Sequence, residues 1–421
     1  MSAACKAIQD AETKTNALTT GIKNAFNAKD VAAELYFRDQ LFGTYEPRLA
    51  SAIAANKKLP SHKRATLEEC FDVASVIDPG TPQGEHVSVY PKIKSSGGFR
   101  MIHKFGLRNR VVQELVSRDL AANYAPRKFQ YTTAGVPKAV ARIKKAILTG
   151  HVHFARLDIE NFFPSFTSVK LVSVLPCPQG TVEGVVLGQL LNIRMDKRFR
   201  KDSHTSSLSS HSIKEFILAA RLGIPQGSVC SPIVSSYCVS HLAWPFMLGV
   251  TLTNYADDFL LLASSAMLRD EAAAKLTQAV SELPGGHFKL KPKAMGQIAD
   301  ECEFLSHRFS HESGILRTSP SSGASAKLDG RLIKLEKKLS HPKTGVSGTE
   351  ADEKSLADMF ALVNRWAAFF RECDDIDGEV LSRFTSLGHW CNALNFEIVK
   401  VQQAAKSIVA YSSDDFEQYD G

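Results

Sequence analysis

The sequence predicts an α+β fold, on the evidence of three differently patterned stretches. Residues 1–80 show helical periodicity, as in VAAELYFRDQLF and LEECFDVASVI. The central stretch contains short apolar segments bounded by glycine, proline and serine, which is typical of strands. From about residue 323 onward the pattern is almost entirely helical. We therefore expect a sheet-containing centre between two helical regions.

The bulk composition indicates a globular protein with a polyanionic partner. The chain has 421 residues, of which 44% are hydrophobic and 23% charged, and its net charge is +7. It shows no signal-peptide pattern and no run of about 18 apolar residues, so no membrane span is expected. Eight scattered cysteines without a C-x-x-C pair predict neither a zinc knuckle nor a disulfide framework, and they fit a reducing cytoplasm.

Strands, helices and loops of the central region can be predicted from local sequence patterns. YPKIKSSGGFRMIHK predicts two strands around a glycine turn, and residues 107–123 and 136–149 predict helices. HVHFARLDI predicts a strand, and PSFTSVKLVSVL a helix opened by proline. GIPQGSVCSP predicts a glycine loop that enters a helix with Ser231 as its N-cap. DSHTSSLSSHS predicts a polar loop with His204 and His211 exposed to solvent rather than acting as ligands.

Two adjacent aspartates interrupt the apolar segment LTNYADDFLLLA. Strand alternation would bury one of them, and a buried unpaired carboxylate costs several kcal/mol. The chain therefore either turns at Asp257 and Asp258 or supplies them with a cation. A hairpin tip that presents both carboxylates to a metal satisfies both demands, and a solvated loop is the alternative for the pair alone. Asp158 ends a predicted strand, where a helix N-cap before Pro164 is the alternative.

These segments, in this order and spacing, resemble motifs A, B and C of reverse transcriptases. Asp158 opens DIENFFPSF, Gln226 and Gly227 lie in GIPQGSVCSP, and YADD occupies 255–258. Cys230 departs from the pattern, where leucine is frequent. The resemblance covers roughly residues 85–315. It implies a right-hand polymerase with fingers, an antiparallel palm sheet flanked by helices, and an all-helical thumb.

The resemblance also implies domain boundaries. We expect an N-terminal helical region (1–80), fingers (81–150), palm (151–316) with a fingers insertion near 171–220, a helical thumb (317–410) and an acidic tail (411–421). No appended domain is expected.

The activity implied by the resemblance is RNA-directed DNA polymerisation by two-metal phosphoryl transfer. Two Mg²⁺ ions, with Mn²⁺ as an alternative, would be held by the carboxylates of Asp158 and Asp257, assisted by Asp258 and the backbone carbonyl of Ile159. Phe163, five residues after Asp158, would lie under the ribose and exclude a 2′-hydroxyl, which selects deoxynucleotides. The alternative for Phe163 is a core position beside Phe162.

Further contacts follow from the same resemblance. Lys94 and Arg100 would bind the dNTP phosphates, with Lys92 and Lys104 as weaker candidates. Gln226 and Gly227 would lie beside the nascent base pair. The remaining candidate contacts to template, primer or pyrophosphate are Arg108, Arg110, Tyr255 and the motif D lysines Lys291 and Lys293 in HFKLKPK, which lacks the usual threonine. FLSHRF resembles the primer grip of motif E, with Ser306 where glycine is common.

One predicted thumb helix, KLDGRLIKLEKKLSHPK, carries two stripes. An apolar stripe would pack on neighbouring helices, and a basic stripe would follow a phosphate backbone, unless it is only a solvated face. The apolar stripe is Leu328, Leu332, Leu335 and Leu339, and the basic stripe is Lys327, Arg331, Lys334 and Lys338.

Within the family, DIENFFPSF is similar to the motif A of retron enzymes, but their VTG motif is not visible and ILRTSP stands near its place. The chain therefore looks like a bacterial defence-associated reverse transcriptase of the type 2-like group. Such an enzyme copies a structured noncoding RNA into cDNA from dNTPs and acts against phage, in the cytoplasm. The alternatives are a retron-type enzyme that makes a branched RNA–DNA product and a catalytically vestigial RNA-binding scaffold. Tyr411, Ser412, Ser413 and Tyr419 are candidate priming hydroxyls, and the oligomeric state stays open.

Overall fold

The computed structural model describes residues 2–94, 98–196, 210–312, 314–339, 348–394 and 396–409. Its mixture of helices and largely antiparallel sheets confirms the predicted α+β class. The helices are α1 (Ala3–Ala28), α2 (Val31–Gly43), α3 (Tyr45–Lys57), α4 (Leu67–Val76), α5 (Leu107–Asn123), α6 (Val136–Leu148), α7 (Ser168–Val172), α8 (Gln179–Thr181), α9 (Ser210–Ala220), α10 (Ser231–Ser240), α11 (Ala266–Ser281), α12 (Ser322–Glu336), α13 (Glu350–Phe369), α14 (Ile376–Ala393) and α15 (Ile398–Val409).

The strands lie between α4 and α12. They are β1 (His86–Ile93), β2 (Phe99–Lys104), β3 (His153–Ile159), β4 (Asn192–Met195), β5 (Val250–Tyr255), β6 (Asp258–Ala263), β7 (Leu290–Gln297), β8 (Cys302–Phe304), β9 (His307–Glu312) and β10 (Ile315–Pro320). The chain divides into two units, residues 1–133, 158–245 and 274–291, and residues 134–157, 246–273 and 292–421. The boundaries of fingers, palm and thumb assigned from the sequence remain predictions.

The first unit contains the N-terminal helices and the basic hairpin, which is formed by β1 and β2. Its core includes Leu49 and Ile53 of α3 together with Val111 and Val112 of α5. A buried ion pair joins α2 to α5, because Nε of Arg38 lies 3.0 Å from both carboxylate oxygens of Asp119. A three-stranded sheet has the order β2-β1-β4, with β1 antiparallel to β2 and parallel to β4.

The second unit contains the C-terminal helices and the acidic hairpin, which is formed by β5, β6 and the turn between them. Its strands form a four-stranded sheet of order β5-β6-β3-β7 and a three-stranded sheet of order β10-β9-β8. β5 and β6 pair antiparallel from Val250↔Ala263 to Tyr255↔Asp258, and the side chains of 259–263 are all buried. The helices α13, α14 and α15 enclose a separate core around Phe360. In the described part of the chain, no helix combines the length and apolar character that crossing a bilayer requires.

Two predicted helices are shorter than the sequence suggested. In PSFTSVKLVSVL, a 3₁₀ turn (Phe163–Ser165) precedes α7, because Phe166 bridges Gly286 and the N–H of Thr167 donates to the carbonyl of Gly285. This strand-like pairing removes the backbone of 166–167 from any helix. The thumb helix α12 ends at Glu336, so Lys338 lies beyond it. There the N–H of Lys338 donates to Leu335, a bond over three residues that tightens and ends the last turn.

The N-cap of α10 also differs from the prediction. Cys230 is the N-cap residue, and Ser231 is already helical. The hydroxyl of Ser231 donates instead to the carbonyl of Pro225, at 2.8 Å, which ties the start of α10 to the glycine loop before it.

Candidate active site

The acidic hairpin turns at Asp257. Tyr255 and Asp258 form the last pair of the β5–β6 ladder, so the loop consists of two residues, Ala256 and Asp257. Asp258 is therefore the first residue of β6 rather than part of the turn. Ala256 has φ 52°, a left-handed conformation that glycine usually occupies. The positive φ of Ala256 therefore costs conformational free energy, of order 1 kcal/mol or more, next to the two carboxylates.

Asn254 braces this turn from inside the sheet. Its side chain is buried, and Nδ2 donates to the carbonyl oxygens of Ala256 at 2.9 Å and of Asp258 at 3.2 Å. Both carbonyls flank Asp257, so one amide fixes the backbone on both sides of that residue. Sequence reasoning missed Asn254. The available signal was a polar residue in the otherwise apolar strand TLTNY, directly before a loop.

Arg156 of β3 supplies a cation to the hairpin. Its guanidinium donates to Oδ1 of Asp258 at 3.4 Å and to the carbonyl of Glu303 at 3.3 Å. It also lies over the ring of Phe304, 6.0 Å from the ring centroid. The Asp258 side chain is only 13% exposed, and a nearby cation offsets the cost of withdrawing a carboxylate from water. Arg156 was not identified from the sequence, because its partners are distant along the chain.

Asp158 is the second-last residue of β3 and is half-buried. It alternates with the buried residues Leu157 and Ile159, as strand geometry requires. The N-cap alternative for Asp158 is wrong, because the following 3₁₀ turn has Phe162 as its N-cap. Asp158 belongs to the first unit and Asp257 and Asp258 to the second, so their convergence on shared metals stays a prediction.

The acidic hairpin fits a hard divalent cation by its donor chemistry. Asp257 and Asp258 provide carboxylate oxygens, and Mg²⁺ is commonly bound by one or two carboxylates completed by water and phosphate oxygens. Within the described residues, no group of three or more His, Cys, Asp or Glu side chains is arranged to hold a metal alone. Any ion at the hairpin would therefore need ligands beyond these two carboxylates.

In motif A, the two adjacent phenylalanines occupy different environments. Phe162 is buried, with its ring centroid 5.1 Å from that of Phe166 and 5.4 Å from that of Phe288. Phe163 is half-buried. Its carbonyl accepts a hydrogen bond from the N–H of Ile224, and a Cβ on Gly223 would lie 1.9 Å from the same oxygen. The start of the glycine loop thus presses against the backbone of Phe163, a contact that only glycine permits.

His103 connects the glycine loop to β2. Its N–H donates to the carbonyl of Gln226 at 2.8 Å, and its imidazole lies 2.8 Å from the carbonyl of Ala220. Burial lowers the pKa of His103. Gly227 has φ 101°, and a Cβ there would lie 2.4 Å from the carbonyl oxygen of His103. Gln226 and Gly227 are therefore held by backbone contacts to the basic hairpin, which sequence reasoning did not anticipate.

The basic hairpin places its cations in distinct settings. Lys92 pairs directly with Arg100 across the β1–β2 ladder, so their side chains project from the same face. Lys94, half-buried, follows β1, and its N–H donates to the carbonyl of Gly98. Lys104 is bound to Asp196 at 2.8 Å and lies over the Tyr90 ring. The turn residues 95–97 lie outside the described part of the chain.

The other residues predicted to contact template, primer or pyrophosphate lie within the described part of the chain. Arg108 is exposed at the start of α5, Arg110 donates to the carbonyl of Phe105, and Tyr255 is half-buried. Lys291 forms an ion pair with Glu160, and Lys293 is exposed. Leu305 and Ser306 form the β8–β9 turn with φ 50° and 61°, which explains why glycine is common at the position of Ser306.

The basic stripe of α12 lies beside a buried apolar stripe. Lys327 and Lys334 are exposed and Arg331 is half-buried, and Lys338 is exposed beyond the end of the helix. The leucines pack inward, Leu328 and Leu339 fully and Leu332 and Leu335 in part. His204, the side chain of His211 and the tail residues Tyr411, Ser412, Ser413 and Tyr419 lie outside the described residues.

The α+β fold and the paired carboxylates of the acidic hairpin fit a nucleotidyltransferase. A family model described as "Reverse transcriptase (RNA-dependent DNA polymerase)" matches residues 91–309, just over half of the chain. The chain belongs to the reverse transcriptase family and is, as such, an RNA-directed DNA polymerase. No match is found among the curated proteins.

Solved polymerase structures resemble the chain at low sequence identity. One is the RNA-dependent RNA polymerase 3Dpol of a Sicinivirus (11% identity, 75% of this chain and 69% of that chain, TM-score 0.34). Telomerase of Candida albicans, in complex with a TWJ fragment of telomeric RNA, shows 12% identity over 80% of this chain and 65% of that chain (TM-score 0.36). Apo telomerase of Candida tropicalis shows 12% identity over 81% and 63% (TM-score 0.44). The chain thus spans less than two thirds of either telomerase.

Proposed function

We propose that the protein copies a bound structured noncoding RNA into cDNA and that this synthesis serves antiphage defence in the bacterial cytoplasm. The observation that carries the polymerase part is the acidic hairpin, with Asp257 in a braced turn and Asp258 held by Arg156. The lack of a visible VTG motif, with ILRTSP near its place, supports the defence-associated assignment over a retron-type enzyme. The compact helical C-terminal region is consistent with a thumb for the RNA–DNA hybrid.

Asp158, Asp257, Asp258 and the carbonyl of Ile159 would hold two Mg²⁺ ions. Such ions, when bound, lower the pKa of the primer 3′-hydroxyl and neutralise the charge of the leaving pyrophosphate. The protein's own part is to keep these oxygens in place, because Asn254 fixes the turn around Asp257. Lys291, paired with Glu160, is the candidate proton donor to pyrophosphate.

Nucleotide choice would depend on Phe163 and on the basic hairpin. The half-buried ring of Phe163 is placed by a backbone that Gly223 and Ile224 hold, so it can act as a fixed steric limit at the sugar. Arg100 and Lys94 would bind the triphosphate. Arginine presents a planar fork to phosphate oxygens, and lysine presents a mobile point charge.

Primer extension tests the polymerase assignment. The purified protein should extend a DNA primer on an RNA template with dNTPs and Mg²⁺, and Asp257→Asn should abolish extension. Asp39→Asn, an exposed aspartate on α2, is the matched control and should retain full activity. Phe163→Ala should increase incorporation of NTPs relative to dNTPs. Equal use of NTPs and dNTPs by the unaltered protein would contradict the deoxynucleotide assignment.

Nucleic acid that copurifies with the protein tests the template and the biological role. Sequencing should show one recurrent structured RNA together with complementary DNA, and Asp257→Asn should lose the DNA but keep the RNA. A branched RNA–DNA product would identify a retron-type enzyme instead. In a phage challenge, cells carrying the Asp257→Asn protein should lose protection. Full protection by that variant would favour an RNA-binding scaffold.

A further inference from the structure

A strongly basic segment runs from the last residue of α3 towards α4, outside the residues that the family model matches. Residues 57–64 read KKLPSHKR and contain no acidic residue. The family match begins only at residue 91. We call these residues the cationic loop. Its basic side chains are all exposed at the surface of the first unit: Lys57, Lys58, His62, Lys63 and Arg64.

The cationic loop is closed by a side-chain amide. Asn56, which is almost fully buried, donates from Nδ2 to the carbonyl of Ala65 and accepts from the N–H of Ala65, both at 2.8 Å. This pair of bonds joins the two ends of the loop as a ladder joins two strands. The N–H of Leu59 also donates to the carbonyl of Asn56. The loop therefore has a defined geometry before any ligand arrives.

Arg64 adds a second constraint inside the loop. Its Nε donates to the carbonyl of Leu59 at 2.9 Å, and its terminal nitrogen donates to the carbonyl of Lys57 at 3.0 Å. Both acceptors are neutral, so the guanidinium keeps its full positive charge while holding the backbone. A preorganised ligand site loses less conformational entropy on binding than a mobile one.

Structural roles account for some of the basic side chains of the cationic loop but not for all of them. Lys58 pairs with Glu114 at 3.0 Å, and Lys57 stands at the carboxyl end of α3, where a cation offsets the helix dipole. His62 and Lys63 lie on the 3₁₀ turn that follows, away from the helix end. The nearest acids along the chain, Glu68 and Glu69, belong to the first turn of α4, and Glu69 caps that helix.

We propose that the cationic loop binds the phosphate backbone of a structured RNA, as a contact separate from the polymerase motifs. Structured RNA is recognised largely through its shape and its phosphates, which a rigid group of cations can match without reading sequence. An anionic membrane surface is the less suitable partner, because the loop presents no large exposed apolar side chain that could enter a bilayer. The identity of the RNA rests on the proposed function; the binding itself does not.

The salt dependence of RNA binding tests the proposal. The probe is a 60-nucleotide hairpin RNA, bound to the full-length protein without dNTPs or primer over a series of KCl concentrations. Lys57→Gln combined with Lys63→Gln should weaken binding and reduce the slope of log K against log[KCl] by roughly 1.4 to 1.8, the loss of two phosphate contacts. Lys6→Gln combined with Lys23→Gln, two exposed lysines on α1, is the matched control and should leave the slope unchanged. An unchanged slope in the loop variant overturns the proposal.

Two further measurements identify the partner and the location. Extension of oligo(dT) on poly(rA) should proceed at the same rate in the loop variant and in the unaltered protein. If extension fell as much as RNA binding does, the loop would not be a contact separate from the polymerase motifs. Cosedimentation with phosphatidylserine vesicles should be absent, and vesicle binding lost in the variant without a change in RNA slope would assign the loop to membranes. Thermal unfolding of the loop variant should show no more than the small loss expected from removing the Lys57 charge at the end of α3. Because binding is measured without synthesis, an inactive polymerase would refute the proposed function and leave this result intact.

Discussion

Arg156 and Asp258 are joined across the sheet of the second unit by a hydrogen bond of 3.4 Å between guanidinium and carboxylate. The same guanidinium reaches the carbonyl of Glu303. One arginine thus contacts both an expected metal-binding carboxylate and the strand that leads to the turn at Leu305 and Ser306. We therefore expect Arg156 to be a positioning residue that acts through Asp258.

Replacing Arg156 tests that role. Arg156→Met should lower kcat for primer extension by roughly 10- to 100-fold, the usual loss for a residue that orients a metal ligand. Arg156→Lys should recover part of the activity, because lysine restores the charge without the fork. Arg371→Met, which removes an exposed ion pair with Glu372 just beyond α13, is the control and should have little effect. Unaltered kcat with tighter Mg²⁺ binding would show that Arg156 only competes with the metal.

Gly227 should not tolerate a side chain. In Gly227→Ala, the new Cβ would meet the carbonyl of His103 and the positive φ would be strained, so stability should fall by about 1–3 kcal/mol. Urea denaturation measures the change. Gly330→Ala is the control on α12, where nothing lies within 4 Å of the added Cβ, and it should raise stability by roughly 0.5–1 kcal/mol. A neutral Gly227→Ala would mean that the contact with His103 relaxes freely.

His307 should make stability depend on pH. It is fully buried, its ring lies 4.6 Å from that of Phe370, and its Nδ1 lies 2.7 Å from the carbonyl of Leu305. Burial lowers its pKa from 6.5 to about 4, with a smaller contribution from Lys144. Above pH 6.5 the imidazole is neutral in both states. Between pH 6.5 and about 4 only the unfolded chain takes up the proton, so stability is lost as pH falls.

The slope of this loss is about 1.4 kcal/mol per pH unit for His307 alone. His103, whose pKa is also lowered by burial, adds loss in the same direction. Urea titrations at pH 7, 6 and 5 should therefore show a shallower decline for His307→Asn than for the unaltered protein, whatever its absolute stability. His62→Gln, at the surface, is the control. An identical decline in His307→Asn would show that His307 is protonated equally in both states.

The basic stripe of α12 should contribute to binding of an RNA–DNA hybrid. Arg331→Ala combined with Lys334→Ala should weaken binding and reduce the salt slope by roughly 1.4 to 1.8. Arg371→Ala combined with Lys400→Ala removes the same charge from exposed ion pairs of the C-terminal helices, and it should leave the slope in place. Equal slopes for both double variants would identify the α12 stripe as a solvated face.

Local patterns predicted the elements that local chemistry determines. The strands around Asp257 were predicted because two apolar runs flank a polar pair. The spacing of its leucines predicted α12, although the helix ends at Glu336, earlier than that spacing suggested. Contacts between distant segments were not visible in the same way. The 3₁₀ turn at Phe163 depends on Gly285 and Gly286, and the role of His103 depends on Gln226. The roles of Arg156 and Asn254 likewise follow only from their hydrogen-bond partners in the structure.

With Phe163 in its proposed role at the sugar, the contact between Gly223 and the carbonyl of Phe163 limits how sugar preference can be engineered. Replacing the Phe163 side chain by a smaller one enlarges the space beside it without moving the main chain. A substitution at 223 would displace that main chain, and with it the loop that continues to Gln226. Libraries that seek ribonucleotide acceptance should therefore diversify position 163 and keep position 223 as glycine.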